Sequence, residues 1–309
     1  MKVAVALVLD SRAFELAKYS LISAMLHGES NHHYYIFSHN FDISEDDPIF
    51  TIARDMGVVL RCPRIRQDRE ILYNNDFRVT STSLLKIDAI DILSKDYDKV
   101  LYIDPDVLIF DRLQIADLSF DSHPIAAVYD MAEVIGTYDV VGMESKSAGE
   151  TPHYFNSGVI FVDSKKWSSG LVDQFYRNVI EHGRDCRYRA NCTSVDQCAW
   201  NMTFDRNWKR LPLDHNFQAF GIYLDGWKQA KVRHYVGKQK FLPIRWHRND
   251  DRDVALINEI HRKFGKKTLF NPLGGILRGL NMIRKIKLTR LADASIRKID
   301  DLLAAPMIH

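Results

Sequence analysis

Lys99-Val-Leu-Tyr-Ile-Asp-Pro-Asp-Val-Leu-Ile-Phe110 drives an apolar run into two carboxylates and then resumes as apolar. Val100 to Ile103 has the continuous β-branched and aromatic character of a strand covered on both faces. Asp104 and Asp106 stand two apart, so in extended chain both carboxylates project from one side. Pro105 between them has no N–H for a sheet ladder, so the backbone is expected to leave the sheet here and present its carbonyl end to a ligand. Two ionised carboxylates side by side repel unless a cation sits between them, and a divalent metal answers that need. The plain alternative is a turn, since Asp and Pro are ordinary turn residues.

Outward from this stretch, apolar runs and helical spacings alternate. Val3 to Leu9 reads as a strand, and Phe14, Ala17, Leu21 and Ala24 recur at helical spacing after it. His33 to Ser38 reads as a second strand. Ser44 to Met56 reads as a helix opened by a Ser44 cap and closed by Gly57, with Val58 to Leu60 as the next strand. This βαβαβ order predicts a parallel sheet with helices on its faces. Arg61 to Thr80 is polar, and Leu85, Ala89, Ile92 and Leu93 mark a helix that feeds the central strand. Downstream come a strand at Ile125 to Tyr129, a long loop at Ile135 to Pro152, and His153 to Asp163 as a turn-rich entry to another apolar strand. Helices are predicted at Leu171 to Ile180, Val195 to Met202 and Asp253 to Phe264, with strand-like residues at Val232 to Val236 between the last two.

At 309 residues and 46% hydrophobic the chain can bury a substantial core. From residue 262 onward stand 11 Lys or Arg against 3 Asp or Glu, which leaves a slightly acidic body ahead of a basic tail. That balance argues against nucleic acid as a partner and for a tail that meets something anionic. Between Leu273 and Leu303, Ile276, Leu280 and Ile283 recur at helical spacing among basic residues, as in a helix lying on an anionic membrane surface. The apolar run after Met1 is too short to span a bilayer and is cut by Asp10 without a cleavage-like site, so a cytoplasmic protein is expected, peripheral on the membrane through its tail. Cys186, Cys192 and Cys198 match no familiar zinc spacing, so reduced thiols are expected.

Beyond the Asp pair, Asp10, Asn156-Ser-Gly158, Asp196-Gln197 and His234-Tyr-Val-Gly-Lys-Gln-Lys240 occur in a familiar order. From about Val3 to Trp246 the chain resembles the family 8 retaining glycosyltransferases, which include glycogenin and the bacterial galactosyl- and glucosyltransferases of lipopolysaccharide synthesis. The resemblance implies a nucleotide-diphospho-sugar transferase fold of GT-A type, a Rossmann-like mixed sheet flanked by helices. Residues 1–264 would form the catalytic domain and residues 265–309 a basic helical appendage.

It further implies that Asp104, Asp106 and His234 ligate Mn²⁺ or Mg²⁺, and that Lys240 touches the donor diphosphate with Pro105 and Gly237 nearby. Val8 and Asp10 would hold the uracil ring of a UDP-sugar. Lys86 stands where the family carries an Arg facing the sugar nucleotide. Asn156 and Ser157 would meet the sugar hydroxyls, and Asp196 and Gln197 would lie beneath the anomeric carbon. Asp130 matches a position near the donor–acceptor junction. Ser11 to Ala13 depart from the family's pattern around the base, and Phe241-Leu242 replaces its Pro-Trp. The acceptor would be a glycan, a lipid-linked saccharide or a protein side chain.

An amide is a poor nucleophile, so same-face transfer with Gln197 stabilising oxocarbenium-like charge is expected rather than a covalent intermediate. Two rivals stand beside this reading. A phosphohydrolase of the haloacid-dehalogenase type also has Asp-x-Asp after an apolar strand, but on the first strand and with Thr where Leu108 stands here. A degenerate fold kept as a sugar-nucleotide-binding or scaffold protein would be expected to have lost Asp104, Asp106, His234 or Lys240.

Overall fold

A computed structural model describes residues 1–66, 81–131, 154–182, 194–222, 225–237, 240–244 and 249–269. The expected loop at Ile135 to Pro152, the tail helix after Leu273, most of the polar stretch before Thr80, and Cys186 and Cys192 lie outside the described residues.

In chain order the strands are Val3–Leu9 (β1), His32–His39 (β2), Val59–Arg61 (β3), Arg64–Ile65 (β4), Lys99–Ile103 (β5), Val107–Ile109 (β6), Ile125–Tyr129 (β7), Phe155–Asp163 (β8), Lys209–Arg210 (β9), Phe217–Gln218 (β10) and Val232–His234 (β11). Eight of them form one sheet in the order β3-β2-β1-β5-β8-β7-β9, with β4 pairing β2. β1, β2, β3 and β5 run parallel, as the βαβαβ order predicts, while β8 runs antiparallel to both β5 and β7. The sheet is therefore mixed, the form implied by the family resemblance.

Both faces are covered, which is why β1 reads as unbroken apolar sequence. Its period of two sends Val3, Val5, Leu7 and Leu9 into one core and Ala4, Ala6 and Val8 into the other. The first core also takes in the helices Phe14–His27, Pro48–Asp55 and Asp251–Lys263, and the second takes in Lys86–Ser94, Gly170–His182 and Val195–Thr203.

The decisive stretch does not stay extended. After β5 the chain turns at Asp104-Pro-Asp106, with the Val107 N–H donating to the Asp104 carbonyl at 3.2 Å, and resumes as β6 in a second, three-stranded sheet ordered β10-β11-β6. The turn reading and the convergence of carboxylates thus hold together. Within the small sheet β11 runs antiparallel to β6 and sets His234 opposite Val107, one residue past Asp106. Buried Arg233 anchors β11 from behind through Asp250, at 2.7 Å, and Asp253, at 2.5 Å. Those two carboxylates also form the capping box of the helix Asp251–Lys263, which starts two residues earlier than its apolar spacing suggests.

A second boundary also differs from expectation. The helix expected from Ser44 begins at Pro48, capped by Asp47, whose carboxylate accepts from the Ile49 N–H at 3.0 Å and pairs with Lys18. Proline loses nothing in the first turn, where its missing N–H has no partner to serve, so the Asp47-Pro48 pair outcompetes Ser44 as the start. Asp47→Ala should cost about 1 kcal/mol of stability or more, and Ser44→Ala less than about 0.5 kcal/mol. Urea denaturation of the two variants checks the pair.

Candidate functional site

The site forms where β5 hands over to β6 and β8 and β11 pass beside the turn. Asp104, Asp106 and His234 each offer one ligand atom, and these atoms lie within 4.8 Å of one another. His234 Nε2 is 3.2 Å from Asp106 Oδ1 and 3.9 Å from Asp104 Oδ2. Backbone holds the turn on two sides: the Asp104 N–H donates to the Gly158 carbonyl of β8 at 2.7 Å, and the Tyr235 N–H donates to the Asp106 carbonyl at 2.9 Å. Tyr102, two residues before Asp104 and on the same side of the chain, donates its hydroxyl to Asp104 Oδ1 at 2.8 Å. Burial works to raise the Asp106 carboxyl, yet the imidazole of His234 and the ammonium of Lys240 outweigh it and hold the group well below the usual carboxylate range. Two oxygens and one imidazole nitrogen are a donor set suited to a divalent first-row ion.

Gly158 explains how three ligands fit so closely. A Cβ built there would lie 2.2 Å from His234 Cε1 and 2.7 Å from Asp104 Oδ2, so no larger residue leaves room for both. The close approach at Gly158 is thus to the cluster itself.

Lys86 is buried at the start of its helix, with Nζ 3.1 Å from Asp196, 3.8 Å from Asp104 and 3.2 Å from both the carbonyl and the hydroxyl of Ser157. Desolvation alone would lower its pKa, but Asp104 and Asp196 win and hold the ammonium above the ordinary lysine value. Asp196 is thus engaged by Lys86. Its neighbour Gln197 donates from Nε2 to Asp130 Oδ2 at 2.6 Å and accepts at Oε1 from Asn156 Nδ2 at 3.1 Å and from the Ser157 N–H at 3.2 Å.

Other expected positions fall as follows. Lys240 donates to Asp106 Oδ2 and lies 3.5 Å from the Tyr235 carbonyl. Gly237, at φ +78°, takes a left-handed conformation that favours glycine and sits in open space. The Pro105 carbonyl accepts from the Ser20 hydroxyl at 2.5 Å, so it turns into the helix Phe14–His27 and not toward an open site. Val8 is buried in β1, and Asp10 follows that strand. Asp10 accepts from four donors: the backbone N–H groups of Arg12 and Ala13 and two guanidinium nitrogens of Arg12. Partial burial pushes the Asp10 carboxyl up, and the Arg12 contacts overcome it and lower it. Tyr102 and Asn216, whose Oδ1 lies 3.2 Å from His234 Nδ1, belong to the site and are missed by the sequence reading; Asn216 carries no spacing signal.

The mixed sheet flanked by helices resembles the framework of the GT-A glycosyltransferases. The model of Glycosyl transferase family 8 matches residues 5–250, and the chain belongs to that family.

Solved structures agree on the fold. The galactosyltransferase LgtC, in complex with donor and acceptor sugar analogs, aligns with a TM-score of 0.58 at 18% identity over 89% of this chain and 99% of that one. WbbM, a bifunctional glycosyltransferase in its apo form, aligns with a TM-score of 0.62 at 16% identity over 85% of this chain and 51% of its own. The glycosyltransferase GlyE of Streptococcus pneumoniae TIGR4 aligns with a TM-score of 0.53 at 20% identity over 87% and 65%. The chain therefore spans about half of WbbM and just under two thirds of GlyE. No curated protein sequence matches it. Among the described residues no helix is long and apolar enough to cross a membrane.

Proposed function

We propose that this glycosyltransferase is metal-dependent and retaining, and that it moves glucose or galactose from a UDP-sugar to a glycan or lipopolysaccharide acceptor. The observation that carries the reading is the convergence of Asp104, Asp106 and His234 beside the turn after β5, with Lys86 Nζ 3.8 Å from Asp104 and 3.1 Å from Asp196. A bound Mn²⁺ or Mg²⁺ would supply Lewis-acid neutralisation of the departing diphosphate. In the transfer the bond from the anomeric carbon to the diphosphate breaks, the acceptor oxygen bonds to that carbon, and the acceptor proton leaves with the diphosphate.

The chain's own residues then divide the work. Asp104, Asp106 and His234 hold the ion, and Lys240 turns from Asp106 to the diphosphate. Asn156 and Ser157 meet the sugar. Gln197 Oε1 already accepts two hydrogen bonds and Asp196 is paired with Lys86, which supports same-face transfer over attack by either side chain. Gln197 is assigned to stabilising charge on the sugar, and Asp130 to orienting a hydroxyl through the same network. Residues 265–309 form the proposed appendage, and the basic excess after residue 262 supports contact with an anionic membrane surface. Flotation with anionic liposomes, comparing the full chain with one ending at residue 264, checks that last point; equal partitioning refutes it.

Calorimetric titration with a panel of nucleotide sugars, with and without Mn²⁺, tests the main reading. UDP-glucose or UDP-galactose should bind in the presence of Mn²⁺ and weaken sharply without it. Metal-independent binding, or preference for a nucleotide other than UDP, overturns it.

A further inference from the structure

A run of side-chain hydrogen bonds leaves the metal cluster at His234 and ends at Asp130. His234 Nδ1 is 3.2 Å from Asn216 Oδ1, and Asn216 Nδ2 donates to Asn156 Oδ1 at 3.0 Å. Asn156 Nδ2 then donates to Gln197 Oε1 at 3.1 Å, and Gln197 Nε2 donates to Asp130 at 2.6 Å.

The direction of this run is set by groups that cannot reverse. The Gly158 N–H donates to Asn156 Oδ1 at 3.1 Å, and the Ser157 N–H donates to Gln197 Oε1 at 3.2 Å. Turning either amide over would set an NH₂ group against a backbone N–H. With the Asn156 oxygen fixed, Asn216 must present its nitrogen to Asn156 and its oxygen to the imidazole. An amide oxygen only accepts, so the proton it meets sits on His234 Nδ1. Nε2 is then the ring atom turned toward Asp104 and Asp106. Asn216 is wholly buried, and both its amide heteroatoms are used in this way. Its backbone N–H donates to the Leu213 carbonyl at 3.1 Å, which ties it to the short turn before β10.

We propose that Asn216 is a positioning residue that holds His234 as the Nδ1–H form and so aims Nε2 at the metal, joining the metal cluster to the Gln197 amide. The physical reason is general: a ligating imidazole keeps its orientation and tautomer through the hydrogen bond made by its other nitrogen. The metal half of this inference rests on the function proposed above; the tautomer half does not.

Nitrogen NMR of the metal-free full chain labelled at histidine reads the tautomer directly, with His234→Gln identifying the resonance. In the unsubstituted protein His234 Nδ1 should be protonated. In Asn216→Leu, of similar volume and without an acceptor, Nδ1 should lose its proton and the ring should keep one only on Nε2 facing Asp106, and Mn²⁺ affinity measured by electron paramagnetic resonance should fall about 10- to 100-fold. Asn216→Asp keeps an acceptor opposite the ring and should retain a protonated Nδ1 and an affinity closer to that of the unsubstituted protein. A space-filling role alone would leave the ring protonation of Asn216→Leu unchanged. A bare Nδ1 in the unsubstituted protein, or a protonated Nδ1 with unchanged affinity in Asn216→Leu, overturns the inference. If His234→Ala leaves Mn²⁺ affinity unchanged, the metal reading fails by itself, and the tautomer result still decides the role of Asn216.

Discussion

Asp106→Ala should abolish Mn²⁺-dependent hydrolysis of UDP-glucose or UDP-galactose, with a loss in turnover of about three orders of magnitude or more, the scale of removing one main stabiliser of developing charge. Asp106 is the member of the cluster tied to most of the others: one oxygen faces His234 at 3.2 Å and the other meets Lys240. Its carboxyl is held ionised by those two neighbours, so no proton has to be removed before it serves as a ligand. Its backbone carbonyl, fixed by the Tyr235 N–H, does not depend on the side chain, so the turn should survive the substitution. Lys240 loses a partner but is more than a third exposed, and water can replace a contact of that kind with little effect on stability. Thermal melting without metal should therefore shift by only a few degrees, while Mn²⁺ should no longer raise the midpoint. Undiminished turnover in Asp106→Ala would rule out the metal role of the cluster.

Much of the framework was legible because it obeys local rules. β1 and Val100 to Ile103 of β5 are buried on both faces, so their sequences read as unbroken apolar runs, and the helix between β1 and β2 begins at Phe14, the first of its spaced apolar residues. Helix starts were less legible where two capping residues competed, as Ser44 and Asp47 do, because proline placement and a tertiary partner, Lys18, decide between them. Asp104 and Asp106 announce themselves by interrupting a strand.

His234 could be attached to them only by resemblance, since it stands 128 positions after Asp106 and the antiparallel pairing of β11 with β6 brings it back. Lys86 illustrates the limit of composition. A lysine at a helix start ordinarily reads as solvated, and nothing local reveals that two carboxylates and a serine from three other segments will surround it. Asn216 lies beyond sequence reading for the same reason: its meaning comes from partners on β8 and β11, and asparagine alone says only turn or cap.

The same crowding that hides these partners makes one small substitution severe. Gly158→Ala should cost Mn²⁺ affinity by about 10- to 100-fold, comparable with loss of an orienting partner, and stability by about 1–3 kcal/mol from overpacking. The added methyl would lie 2.2 Å from His234 Cε1, 2.9 Å from His234 Nε2 and 2.7 Å from Asp104 Oδ2, so something must move. The backbone at Gly158 has little freedom to yield. It lies in β8 with its carbonyl accepting from the Asp104 N–H at 2.7 Å and its own N–H donating to Asn156. The side chains opposite are held as well, Asp104 by Tyr102 and His234 by Asn216. Relief then comes from pushing the imidazole and the carboxylate apart, which removes the spacing a shared ion requires. Gly158 has no positive φ, so alanine meets no backbone penalty there and the effect is steric. Gly170→Ala is the control, since its nearest contact would be Ser168 Oγ at an ordinary 3.6 Å. Mn²⁺ titration of both variants by paramagnetic resonance, beside urea denaturation, should show lost affinity in the first and none in the second; equal affinities would mean that His234 and Asp104 do not face each other across this glycine.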